Sequence, residues 1–158
     1  ANRMPLIRTM LAFNAYSEGW ALYAEQLADE LGLYDDFEVG RLGYLQSLAF
    51  RACRLVVDTG IHAKRWTREQ GVDFFVHQNG SNPLEVASEV DRYCSWVGQA
   101  CGYKVGHSEI VRQRGRAQAA LGAQYDLRDF DDTVVKGGNV PLDVLAQNVD
   151  EYIAGAKG

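Results

Sequence analysis

Tyr16-Ser17-Glu18-Gly19-Trp20-Ala21-Leu22-Tyr23-Ala24-Glu25 is the stretch from which the fold can be read. Ser17 is a candidate N-cap, since its hydroxyl can accept from the orphan N–H groups of a first helical turn. Leu22, Ala24, Leu27, Ala28 and Leu31 follow as an apolar run compatible with a helix, and Gly32 stands where a glycine ends one. Glu18, Leu22 and Glu25 fall at i, i+4 and i+7, so the two carboxylates share a face. Among Trp20, Leu22, Tyr16 and Tyr23, such a carboxylate needs a partner. An Arg or Lys is the commoner such partner and a metal ion the other, so the spacing alone favours a solvated or ion-paired face over a metal ligand.

Outward from this helix the chain reads as more helices. Met4-Pro5-Leu6-Ile7 suggests an entry at Pro5. A second helix is expected from Glu38 to Asp58, with Leu42, Leu45, Ala49, Ala52, Leu55 and Val56 as its buried stripe and Thr59-Gly60 as its end. Thr67 and Gln70 form a capping-box pair ahead of Phe74, Phe75 and Val76. Pro83, after Asn82, opens another helix with Val86, Val90 and Tyr93 along one side. Ser95 to Gly106 carries Gly98, Gly102 and Gly106, each costing about 1 kcal/mol in an exposed helix interior. Close helix packing or a break explains them, as does a backbone passing under a cleft. Helices then run to Gly122, from Asp126 to Gly137, and from Pro141 onward, with Leu142, Leu145, Val149, Tyr152 and Ile153 inward. Arg112, Arg114 and Arg116 read as a solvated basic stripe. No strand pattern occurs. The expectation is one all-α domain of six or seven helices over residues 1–158.

A chain of 158 residues, 47% hydrophobic and 23% charged, has the composition of an ordered protein with a buried core. A net charge of -5 supplies no cationic field for phosphates, so nucleic acid is not an expected partner. No apolar run approaches the ~20 residues of a membrane span. No charged-then-apolar leader is read at the start of the sequence, so no signal peptide is expected within it, and the absence of Met at Ala1 fits a processed or truncated product. Cys53, Cys94 and Cys101 form no Cys-x-x-Cys pair and read as buried reduced thiols.

Three segments carry a family resemblance. Ser17-Glu18-Gly19-Trp20-Ala21-Leu22-Tyr23-Ala24-Glu25-Gln26-Leu27-Ala28 resembles a signature of the bacterial domain-of-unknown-function family 885. Phe50 to His62 is similar to a second such stretch. Trp96-Val97-Gly98-Gln99-Ala100-Cys101-Gly102-Tyr103-Lys104-Val105-Gly106 is similar to a third, with Val97 where the family has proline. That family resembles gluzincin-like zinc metallopeptidases, in which a His-Glu helix brings two imidazoles and a general-base glutamate. The resemblance implies that Glu18 is the third zinc ligand and that Tyr103 donates to an oxyanion. It implies that Glu25, Arg54, Asp58, His62, Gln99 and Lys104 bind or support substrate, with Arg54 or Lys104 on a peptide carboxylate.

The histidines limit this. His62, His77 and His107 form no i, i+4 pair, so the chain lacks the zinc-binding histidine helix. It reads as the C-terminal portion of a zinc-dependent peptidase or amide hydrolase, inactive alone, with zinc absent or weakly held. The alternative is a non-catalytic helical binding module. Apolar surface left open by a missing segment would favour self-association.

Overall fold

The computed structural model describes residues 6–156. Eight α-helices and one 3-10 turn follow in order: α1 Leu6–Met10, α2 Asn14–Glu30, α3 Glu38–Lys64, α4 Arg68–Asn79, α5 Pro83–Ser95, α6 Cys101–Leu121, the 3-10 turn Gly122–Gln124, α7 Leu127–Lys136 and α8 Leu142–Ala156. No strand occurs among the described residues, and the all-α expectation holds. None of the described helices is long and apolar enough to cross a membrane. The expected entry at Pro5 lies outside the described residues.

Helix ends follow local chemistry in most places. Thr67 and Gln70 form both bonds of the capping box. The Asn82 side chain accepts from Leu84 N–H, and Asp126 accepts from the N–H groups of Arg128 and Asp129. Two ends differ from expectation. α2 begins at Asn14, three residues before Ser17, and its cap comes from far along the chain. The Asn139 side chain accepts from Phe13 N–H at 2.8 Å and donates to the Ser17 hydroxyl at 2.6 Å. α3 runs through Thr59-Gly60 and stops at Arg65, whose φ is 59°. Gly60 is an interior position there, because the Trp66 indole folds back onto it. A Cβ on Gly60 would lie 2.5 Å from that ring.

The α2–α6 pair is the centre of the fold. Asn14 meets Gly102, Gly19 meets Gly106, and Glu30 meets Arg114. The pairs advance together along both helices, so the two run parallel. Their axes approach closely because both surfaces are glycine there. A Cβ on Gly106 would sit 1.7 Å from the Ala15 carbonyl oxygen, and one on Gly19 would sit 2.4 Å from the Gly106 backbone. Close packing therefore accounts for Gly102 and Gly106, while Gly98, at φ +80°, makes a turn.

Two apolar clusters flank this axis. Tyr16, Tyr23, Ile110, Phe130, Leu145 and Val149 form one, between α2, α6, α7 and α8. Cys53, Val57, Phe75, Val86, Val90 and Tyr93 form the other, between α3, α4 and α5. Each fully buried side chain of this kind contributes about 1.5–3 kcal/mol. The expected α3 stripe is not part of either core. Leu42 is 66% exposed and Leu45 48%, and Ala49 and Val56 are exposed too. α3 instead buries Tyr44, Cys53, Arg54, Val57 and Asp58. Two charged residues on the inner face supply the polar contacts that orient it.

The basic stripe is likewise engaged rather than free. Arg112 pairs with Glu109, Arg114 with Glu30 and Arg116 with Asp150. All three cysteines are free, but only Cys53 is buried; Cys94 is exposed and Cys101 half-buried.

Candidate functional site

Arg54 and Asp58 are 3% and 2% exposed, at the seam between the two cores. Their i, i+4 spacing predicts a pair with each other, yet each is held by other groups. Arg54 lies 3.6 Å from the Glu89 carboxylate and donates to the Gln99 side-chain oxygen at 3.4 Å. Arg92 reaches the same two acceptors, at 3.0 Å and 3.3 Å. Tyr93 donates to Glu89 at 3.2 Å, and burial first of all holds that phenol well above the ordinary tyrosine range. Gln99 also donates to Asn14 at 3.3 Å and so ties α2 to this cluster. Asp58 accepts from Gly98 N–H at 3.1 Å, which the left-handed turn at Gly98 makes possible. His62 Nδ1 lies 2.8 Å from the Asp58 carbonyl oxygen and 3.1 Å from its carboxylate. Both partners can only accept, so Nδ1 carries the proton.

Tyr103, on the first turn of α6, is half-buried under these arginines. The Arg54 guanidinium is 4.3 Å from its ring centroid and that of Arg51 is 5.0 Å. The Tyr103 hydroxyl makes no hydrogen bond among the described residues. The structure thus brings Arg54, Asp58, His62, Gln99 and Tyr103 into one constellation.

Glu18 and Glu25 lie outside its hydrogen bonds. Glu25 accepts from Ser47 of α3 at 3.4 Å, so the face it shares with Glu18 looks toward α3. Glu18 is half-buried and has neither hydrogen bond nor ion pair among the described residues. No group of three or more His, Cys, Asp and Glu side chains is arranged for a metal ion among these residues. The described residues therefore present no complete metal site.

Lys104 belongs to a different network. It donates to His107 Nδ1 at 3.2 Å, and His107 Nε2 meets the Gln26 side-chain oxygen at 2.8 Å. Gln26 donates to Glu30 at 2.7 Å, and Glu30 pairs with Arg114. An ammonium only donates, so Nδ1 accepts and Nε2–H donates. Burial, then the Lys104 charge, pushes the His107 pKa down to about 4, and burial lowers that of Lys104. The sequence assigned His107 no role. The signal was Lys104 three residues before it on a helix, which places both on one face.

A cleft of about 410 Å³ opens beside the constellation, between the N-terminal half of α3 and the α4–α5 junction. Ser47, Phe50, Arg51, Asn79, Ser81 and Glu89 are among its walls.

Comparison with known proteins fits this architecture. Residues 1–149 match the family described as bacterial protein of unknown function, DUF885. No match was found among curated proteins. The crystal structure of a "putative lipoprotein" from Colwellia psychrerythraea superposes with a TM-score of 0.93 at 48% identity. That similarity covers 96% of this chain and 26% of the solved one, so the chain spans about a quarter of that protein's length. With nearly all of its length matched and its helices superposed on those of the solved protein, the chain belongs to the DUF885 family.

Proposed function

We propose that the chain contributes part of the active centre of a zinc-dependent peptidase or amide hydrolase, with Glu18 as one zinc ligand and Tyr103 as an oxyanion donor. The observation that carries this reading is the Glu18 carboxylate, half-buried on α2 with no partner among the described residues. A carboxylate in that setting is costly unless a cation meets it. The free Tyr103 hydroxyl is a fitting donor, since a phenol keeps its proton at neutral pH and can bond a developing negative charge. Arg54, Asp58, His62 and Gln99 would hold Tyr103 and the α6 entry in place, and Glu25, through Ser47, and Lys104, through His107, would act as supporting groups. The remaining zinc ligands would come from a longer chain of the family or from a partner.

The test has two parts. The isolated chain is expected to hold zinc weakly and to hydrolyse no peptide. Stoichiometric zinc after chelating dialysis, or turnover of a peptide mixture, would overturn that. In a family-length protein, the substitution equivalent to Glu18→Gln is expected to lower zinc content while leaving the fold intact. The amide keeps the shape but is a poor zinc ligand. Unchanged zinc content removes Glu18 from the metal site.

A non-catalytic helical binding module is the second reading, favoured by the open cleft between α3 and the α4–α5 junction. Self-association through the exposed α3 stripe is proposed under either.

A further inference from the structure

We infer that Arg51 is the reader of a free carboxylate on a peptide-like ligand bound in the cleft between α3 and the α4–α5 junction. The inference takes its ligand class from the proposed function but needs neither zinc nor turnover.

The guanidinium of Arg51 lies 5.0 Å from the Tyr103 ring centroid and 5.4 Å from that of Phe50. Contact with two rings restrains the guanidinium without using any of its N–H donors. Those donors meet no hydrogen-bond acceptor and no carboxylate among the described residues. Neighbouring cations differ in this respect. Arg54 donates to Gln99 and lies 3.6 Å from Glu89, Arg92 donates to both, and Lys104 donates to His107. The Nε of Arg54 and that of Arg92 are buried without a hydrogen-bond partner among the described residues and so are closed to a ligand. Arg51 is thus a half-buried, oriented and unspent fork on the wall of a cleft.

A carboxylate is the complement of such a fork, because two parallel N–H donors match its two oxygens. The local charges balance, Arg51, Arg54 and Arg92 against Glu85, Glu89 and Asp58, so selectivity rests on which of them is already paired. Arg54 and Arg92 both touch Glu89 and offset its charge. Asp58 is turned away onto Gly98 and His62. Glu85, on the far wall in the first turn of α5, opposes an anion and would steer its carboxylate toward α3. The remaining wall offers amides and hydroxyls from Asn79, Ser81 and Ser47, which suit peptide groups.

The experiment is a binding titration with the metal-free chain. N-acetyl-alanyl-alanine is compared with its C-terminal amide by calorimetry, on wild type, Arg51→Met and Arg51→Lys. The acid should bind wild type about tenfold or more tightly than the amide, the worth of one charged hydrogen-bonded pair. Arg51→Met keeps the ring packing and should abolish that preference, and Arg51→Lys should not restore it. Melting temperatures check the fold of each variant. Should a variant unfold, the Arg51 Nε–H resonance of wild type decides: it should shift with the acid and not with the amide. Equal affinity for the two peptides, no saturable binding of the acid, or selectivity that survives Arg51→Met overturns the inference. Failure of hydrolysis or of zinc binding leaves it standing.

Discussion

The Arg54 guanidinium stacks 4.3 Å from the centroid of the Tyr103 ring, so a buried charge on α3 fixes the first turn of α6. Arg54 is 3% exposed and shares Glu89 and Gln99 with Arg92. Removing one partner of a buried ion pair leaves the other charge uncompensated, which typically costs about 3–5 kcal/mol. Arg92 retains part of the Glu89 interaction, so the lower end applies. Arg54→Ala is expected to destabilise the chain by about 3 kcal/mol. Arg54→Lys should recover little, because an ammonium cannot reach both acceptors while covering the ring. Urea denaturation measures both.

Tyr103→Phe separates a chemical role from a structural one. The hydroxyl has no partner among the described residues, so its loss should change stability by less than ~1 kcal/mol. Under the proposed role, Tyr103→Phe in a family-length protein is expected to cost on the order of a hundredfold in kcat with little change in substrate binding. Steady-state kinetics beside the melting temperature gives the answer. Normal kcat removes Tyr103 from the chemistry.

Gly106→Ala probes the parallel helix contact. Its methyl group would fall 1.7 Å from the Ala15 carbonyl oxygen, which is backbone and cannot rotate away. Overpacking typically costs about 1–3 kcal/mol, and a clash with main chain belongs at or above the top of that range. Gly115→Ala, where a Cβ meets nothing within 4 Å, is the control and should be neutral or slightly stabilising. Equal melting temperatures for the two variants would contradict the packing.

Acidification should weaken the fold through His107. Its folded pKa, about 4, lies below the ordinary value of 6.5, so between these values the unfolded chain binds the extra proton. Stability from this group is full above about pH 6.5 and falls as the pH drops toward 4. The span is about 3 kcal/mol at most, from ~1.36 kcal/mol per pH unit. His107→Gln, which keeps an acceptor for Lys104, should flatten that part of the profile. Urea midpoints between pH 7.5 and 4.5 measure it, and an unchanged slope in the variant places the titration elsewhere.

Sequence alone determined the helical class and most of the helix ends, because these depend on contacts within a few residues. Thr67 with Gln70, Asn82 before Pro83, and Asp126 all cap as their side-chain chemistry dictates. It also marked Arg54, Asp58, His62, Gln99 and Tyr103, through segments similar to a known family, and the fold brings them together. Only the tertiary structure decided the rest. Ser17 looked like a cap because its chemistry is right, but the Asn139 amide, 122 residues away from it, does the capping. The Leu42–Leu45 stripe has helical period, yet periodicity marks a face and does not say what covers it. Arg54 and Asp58 have the spacing of a surface pair, and burial against Glu89, Gln99 and the Gly98 amide gives them other partners. Arg51 is the clearest case. Its open donor edge follows from which neighbours find acceptors, a competition settled in three dimensions and invisible in the order of residues.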